Sequence, residues 1–322
     1  MAMNNIKEWT APSIPDNIPY GDMPGDKVKI EERHVDLANV IFPRLLEDIT
    51  GNFLESSLEE FSKLKLVISV CGGSGVGKSE VASLLSYYFN QIEIGSYTLS
   101  GDNYPHRIPK ENDAERYRIF IEGVTREEPS IQSNQEGLSF IKKVTEISEA
   151  DFTKKINDES SLKPLIVKGE ESLRGYLGTD REINFEELSN IIKEFKAGQE
   201  QIKLKRMGRE RSQLWYDVVD FSKINVLIVE WTHGNNDHLH GVDFPILLCS
   251  TPAETLAHRK ARNRDGATDS AFTSIVLGIE QELLKSQAKK AKMIVTKKGE
   301  IIGYSRYMEK INGVEESFTG EN

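Results

Sequence analysis

An α/β fold, with a parallel sheet carrying helices on both faces, is predicted by three observations. Several short segments are almost continuously apolar (LVISV, VLIVE, FPILLC), which is how strands buried on both faces read. Between them lie segments whose apolar residues recur at helical spacing. One strand-to-helix junction, VCGGSGVGKS from Val70 to Ser79, holds four glycines and a lysine with little side chain to pack.

Taken in order, residues 1 to 28 are rich in Pro, Asn, Gly and Asp and read as an irregular arm, pinned by Trp9 or Tyr20. From Val35 to Phe61 the spacing of Leu37, Val40, Ile41, Leu45, Leu46 and Ile49 predicts one or two helices. Residues 1 to 62 thus form an arm and helical extension, ahead of a main domain at 63 to 310 and a tail at 311 to 322. KLKLVISVC, 63 to 71, is the first strand, with β-branched bias. KSEVASLLSYYFN is a helix with Val81, Leu84, Leu85 and Tyr88 on one face. YTLS, 97 to 100, is a second strand. Residues 105 to 184 are mostly polar and charged, with helical patches such as AERYRIFIEGV and GLSFIKKVTEI. They read as an insertion on the acceptor side, not a separate domain. FEELSNIIKEFKAG, 185 to 198, is a helix with glycine just past its end. INVLIVEW, 224 to 231, and FPILLCS, 244 to 250, are buried strands. Thr251 and Pro252 open the next helix. A long helix over 270 to 290 and a hairpin in KMIVTKKGEIIGYS complete the domain.

Gly72, four residues, and then Gly77-Lys78-Ser79 fit the phosphate-binding P-loop, and the flanking strand and helix meet its context requirement. The chemistry demands these residue types. Backbone N–H groups must wrap a phosphate closely, which β-carbons would obstruct, and the helix N-terminus adds partial positive charge. Gly73, Ser74, Gly75, Val76, Gly77, Lys78, Ser79 and Glu80 are therefore the nucleotide-binding residues. Lys78 faces the β/γ-phosphates and the Ser79 hydroxyl can ligate Mg²⁺. Asp102 follows the second strand, where a carboxylate can take a proton from a substrate hydroxyl and help hold Mg²⁺. An Asx turn would use the same residue types. Glu230 ends an apolar strand, a costly place for an acid without a cationic or metal partner. It is the second candidate acid for the Mg²⁺ shell.

In order, these segments resemble the phosphoribulokinase/uridine kinase family of P-loop kinases. GGSGVGKS is similar to its phosphate loop, and Asp102-Asn103-Tyr104 to its strand-end Asp followed by a small residue and aromatics. FEELSNIIKEFKAGQEQIKL is similar to its helix, glycine and short strand before a substrate-contacting segment. VLIVEWTHG resembles the strand whose terminal Glu is followed by glycine in many members; here Trp231-Thr232 follows. Leu256 to Asp265 resembles the arginine-rich lid helix, and TKKGEIIGY the closing strand. The family's Tyr-Asp pair should come soon after the short strand, but Tyr216-Asp217 comes late. The insertion is also longer than in nucleoside kinases, and both departures fall where an acceptor would bind. SGDN also resembles adenylylsulfate kinases. The resemblance implies a kinase that uses ATP and Mg²⁺, with Lys78, Asp102, Arg259 and Arg262 catalytic. His106 and Arg107 follow Asp102 closely and, with Tyr104 and Arg209, are expected on the acceptor, a turn-exposed pair being the alternative for the first two; Ser79, Glu230 and Asp102 are expected on the metal.

His258, Arg259, Lys260, Arg262 and Arg264 are the densest cationic cluster, suited to a lid over the triphosphate or to a solvated face paired with Glu254 and Asp265. Lys203, Lys205, Arg206, Arg209 and Arg211 form a second patch, suited to an anionic group on the acceptor or to guarding an edge strand. His233, Asp237, His238 and His240 fit no known zinc spacing and read as a solvated loop.

The 322 residues carry a formal net charge of -10, which argues against a nucleic-acid partner. No apolar run approaches the ~20 residues of a membrane span, and no secretory signal is read at the start. Cys71 and Cys249 lie in apolar segments, as reduced thiols would. The expected setting is the cytoplasm, with a small-molecule acceptor and, at most, a second copy in a homodimer as partners. The expected reaction is transfer of the γ-phosphoryl of ATP to a hydroxyl of a nucleoside, sugar or sugar-phosphate-like metabolite. Alternatives are an adenylylsulfate-type kinase, a nucleotide-dependent switch or assembly ATPase, and a silent nucleotide-binding module.

Overall fold

The structure is a computed structural model, and it describes residues 9–52, 64–126, 135–159, 162–262 and 270–319. The N-terminal half runs α1 (Glu32–Asn52), β1 (Leu66–Gly72), α2 (Lys78–Gln91) and β2 (Ser96–Ser100). Then come, among the described residues of the insertion, the helices α3 (Pro109–Arg126), α4 (Gln135–Lys142), α5 (Glu149–Asp158) and α6 (Lys163–Arg174). The chain continues with α7 (Phe185–Lys196), the hairpin β3 (Gln201–Met207) and β4 (Leu214–Asp220), and then β5 (Val226–Glu230) and β6 (Phe244–Cys249). It closes with α8 (Pro252–Arg262), α9 (Ala271–Gln287), β7 (Met293–Thr296), β8 (Ile301–Ile302) and α10 (Tyr304–Thr319). The helix expected to reach Phe61 is described as far as Asn52, and 53–63 lie outside the described residues.

The main sheet has the order β2-β5-β1-β6-β7-β8, parallel except for β8 against β7. Alternation along β1 explains the two covered faces. Leu66, Ile68 and Val70 enter a core with α1 and α2, while Val67 enters one with α7 and β3. Beyond β1 the chain steps outward to β2, and after β5 it crosses β1 to β6. Such a reversal opens a crevice at the carboxyl end of the central strand.

Helices of the insertion pack against α9. Phe120, Val124, Phe140 and Ile141 share one apolar cluster with Ala271, Phe272 and Val276 of α9. Its two ends meet, with Pro105 bridged to Ile183 and the Asn184 N–H donating to the Tyr104 carbonyl at 2.9 Å. The arm is anchored too, by Trp9 and not Tyr20. The Trp9 ring lies 5.0 Å from Phe42 and 5.4 Å from Tyr88, whereas Tyr20 is 53% exposed. Helix α1, expected as an extension, packs against α2 within the main core.

Candidate active site

Strand register brings the acids and the glycine loop together. Glu230 of β5 pairs with Val70 of β1 on one side and with Ser100 of β2 on the other. Two residues beyond Val70 the loop begins at Gly72; two beyond Ser100 stands Asp102. Three strand ends therefore converge on one cavity of about 610 Å³, lined by Lys78, Ser79, Asp102 and Glu230 among others.

Gly75 and Gly77 take φ of +78° and +101°, values that side-chain-bearing residues rarely adopt. Space is short as well: a β-carbon on Gly75 would stand 2.9 Å from Arg259 Cγ, and one on Gly77 would stand 2.9 Å from His34 Cδ2. Ser74 and Gly75 line the cavity, Gly73 lines a small separate one beside Ser74, Val76 is buried in the core under the loop, and Lys78 Nζ donates to the Gly73 carbonyl at 3.2 Å. Ser79 and Glu80 are buried in the first turn of α2, with Glu80 on the His34 side.

Glu230 is fully enclosed. Burial pushes its carboxyl above the usual range, Lys78 opposes this, and Asp102 and Asp26 add to it. The Ser100 hydroxyl reaches it at 3.4 Å. The Glu230 and Asp102 carboxylates with the Ser79 hydroxyl make an all-oxygen set suited to a hard cation. Among the described residues no group of three or more His, Cys, Asp and Glu side chains could hold a metal. Trp231 is buried and caps Gly101, where an added β-carbon would fall 2.1 Å from the ring. The residue after Glu230 thus fixes the turn that carries Asp102.

That turn is also clamped from the N-terminal arm, which sequence reasoning missed. Asp22 accepts hydrogen bonds from the Ser100 N–H (2.8 Å), Asn103 Nδ2 (2.9 Å), the Tyr97 hydroxyl (2.9 Å) and Arg206 NH1 (2.7 Å). Nothing in a Pro- and Asn-rich arm marked Asp22 out. Met23 and Asp26 of the arm line the cavity.

Of the expected lid cations, Arg259 is buried beside the loop, its NH1 donating to the Pro252 carbonyl (2.8 Å) and Thr255 Oγ1 (2.7 Å). Arg262 ends α8, with its side chain outside the described set, and Arg264 and Asp265 lie outside the described residues. His258 turns to Arg33, Nδ1 to NH2 at 3.2 Å.

The expected acceptor residues divide. Arg107 and Arg209 line the cavity, Arg107 also donating to the Tyr176 hydroxyl at 3.1 Å. Tyr104 does not reach it: its ring is fully buried in the core with α7 and β3, because the chain must turn inward there to close the insertion. His106 is exposed and its Nε2 meets the Asp180 carbonyl at 2.9 Å. The second basic patch is largely structural. Arg206 is buried against Asp22 and Asp217, Lys205 Nζ donates to the Pro105 carbonyl, and Arg211 pairs with Glu111. Asp217 of the late Tyr-Asp pair thus serves Arg206. The histidine loop is less solvated than expected: Asn235 and Asn236 are buried, and burial pushes His233 down to about 4.

Opposite the phosphate loop the wall comes from the insertion and α9. Arg116 Nε donates to Glu182 at 2.6 Å, and Glu182 also accepts from Asn112 Nδ2 (2.9 Å) and the Gly178 N–H (2.7 Å). Burial resists ionisation of Glu182, yet Arg116, His233 and these donors hold it below the usual carboxylate range. Glu280 of α9 faces the same cavity, and burial pushes it up to about 7. A signal for Glu280 was in the sequence. It falls at i+8 from Phe272 and i+4 from Val276, on the apolar face of its helix.

No family model matches the chain. Over 237 residues, 74% of the chain, it is 39% identical to the bifunctional alpha-galactosidase/sucrose kinase AgaSK of Mediterraneibacter gnavus. The chain spans 20% of that protein's length. Solved structures similar to it include a possible uridine kinase from Bacillus stearothermophilus, at 13% identity and a TM-score of 0.41, covering 77% of this chain and 95% of that one. Another is the D-glycerate 3-kinase of Cryptococcus neoformans, at 13% identity and a TM-score of 0.45, covering 85% and 99%. Among the described residues no helix is long and apolar enough to cross a membrane.

Proposed function

We propose that this chain is an ATP-dependent kinase of the phosphoribulokinase/uridine kinase type, moving the γ-phosphoryl group of ATP to a hydroxyl of a small metabolite. One arrangement carries the reading: Lys78, Ser79, Asp102 and Glu230 line a single cavity whose far wall is made by an insertion rich in polar groups. A hydrolytic switch needs the first wall alone. A kinase needs both, because the acceptor hydroxyl must sit beside the γ-phosphate. The relative from Mediterraneibacter gnavus, named in part a sucrose kinase, makes sugars the first acceptors to test.

In this reading the loop N–H groups and Lys78 hold the β- and γ-phosphates, while the N-terminus of α2 adds its dipole. Ser79, Glu230 and Asp102 would hold Mg²⁺, which when bound neutralises phosphate charge. Asp102 takes the proton of the acceptor hydroxyl as its oxygen bonds to the γ-phosphorus. The bond to the β,γ-bridging oxygen breaks, and ADP carries away that electron pair. Arg259, beside the loop, meets the charge on the transferred group, and Arg262 is assigned to the same lid. Arg107 and Arg209 border the acceptor. The setting is the cytoplasm, which supplies ATP and keeps Cys71 and Cys249 as the free, buried thiols they are.

The test is ADP release from Mg-ATP across nucleosides, sugars, sugar phosphates, polyols, hydroxy acids and adenylylsulfate, with Lys78→Ala as the blank. One compound should accelerate release and appear as its phosphate ester by mass. Release that no acceptor accelerates, with ATP still bound, would overturn the kinase reading in favour of a switch ATPase or a silent nucleotide-binding module.

A further inference from the structure

We propose that the acceptor sits in a second cavity adjoining the phosphate loop, held by Glu280, Asp113 and Arg116, and that it is a neutral polyhydroxy compound and not a phosphate ester. This rests on the kinase reading above and assigns its acceptor site.

The second cavity, of about 320 Å³, is within the usual range for a small-molecule site. It shares Ser74, Asp113, Arg116, Arg259 and Glu280 with the cavity that holds Lys78 and Asp102. A compound within it is therefore next to the transfer position.

Charge decides what it can hold. Each nitrogen of the Arg116 guanidinium already faces a carboxylate. Nε meets Glu182 at 2.6 Å, NH1 lies 3.6 Å from Asp113, and NH2 lies 3.9 Å from Glu280. The cavity's own lining is balanced, Asp113 and Glu280 against Arg116 and Arg259, so it offers no net positive charge to a phosphate ester. Hydroxyl groups suit the same set, because each can donate to a carboxylate and accept from a guanidinium N–H. Glu280 is the focus. Its approach to Arg116 at 3.9 Å exceeds hydrogen-bond length, so its oxygens have capacity for ligand hydroxyls. Its elevated pKa, about 7, lets it act as acceptor or donor near neutrality.

Shape points the same way. Phe272 and Val276 lie on the Glu280 face of α9 and line the same cavity, with Thr145 also at its wall. An apolar wall beside carboxylates matches a sugar ring, which has C–H faces and O–H edges.

The experiment is steady-state kinetics of the full chain at saturating Mg-ATP with sucrose, fructose, mannitol, glycerate and fructose 6-phosphate. An uncharged compound should be preferred. Glu280→Gln should raise its KM on the order of tenfold or more, the scale of one lost charged hydrogen bond, with kcat and the KM for ATP within about twofold. Asp113 is 70% exposed at its side chain, so Asp113→Asn decides the matter should the first variant fail to fold. It should raise the same KM several-fold. Preference for fructose 6-phosphate or glycerate, or an acceptor KM indifferent to the substitution, overturns this proposal and leaves the kinase reading standing. ADP release unaffected by every compound overturns both.

Discussion

The two walls of the active-site cavity are built on different plans. The phosphate wall is local: one strand, one loop and one helix within Leu66 to Gln91, with backbone groups as the binding elements. The opposite wall joins distant segments through side chains. Arg116 meets Glu182, 66 positions away, and Arg107 meets Tyr176 across 69. The first wall can be read as a motif because its chemistry resides in consecutive residues. The second exists only once the insertion and α9 have packed.

The comparison can be broken or sharpened by substitution. Asp102 stands on the first wall's side and acts on the reacting atoms. Asp102→Asn should lower kcat about 10²- to 10⁴-fold while ATP affinity is retained, measured by rapid-quench transfer and equilibrium ATP binding. Unaltered transfer would remove Asp102 from the chemistry.

Asp22 tests whether the arm belongs to the site or merely decorates it. Its side chain is 9% exposed and that of Arg206 is 8%. Asp22→Ala leaves the Arg206 cation and three other donors without that acceptor, so it should cost roughly 3–5 kcal/mol in denaturant unfolding. An arm that is only an appendage would show no change in midpoint.

Glu280 gives the smallest effect and the finest comparison. Its carboxyl is raised from 4.5 to about 7 by burial, so the folded chain holds that proton more tightly than the unfolded chain. The stabilising contribution is complete below pH 4.5 and is lost as pH rises to about 7. Relative to Glu280→Gln, the native chain should therefore lose on the order of 3 kcal/mol between pH 4.5 and pH 7.5. Guanidinium midpoints of both proteins across that range measure this. A variant at least as stable as the native chain at pH 8, yet poorer in acceptor KM, would mark Glu280 as kept for binding. Parallel pH profiles would show that the carboxyl is not raised.

The sequence by itself determined the layered α/β plan, the loop from Gly72 to Ser79, and the strand-end positions of Asp102 and Glu230. It did so because unbroken apolar runs, helical spacing and glycines at a strand-to-helix junction each have a local physical cause. The tertiary structure alone decided that Tyr104 is core, that Arg206 is spent on Asp22 and Asp217, and that Trp231 stands over Gly101. It alone set Glu280 opposite the phosphate loop. Whether a charge faces a ligand, a partner or solvent depends on what packs against it from far along the chain, and no spacing records that.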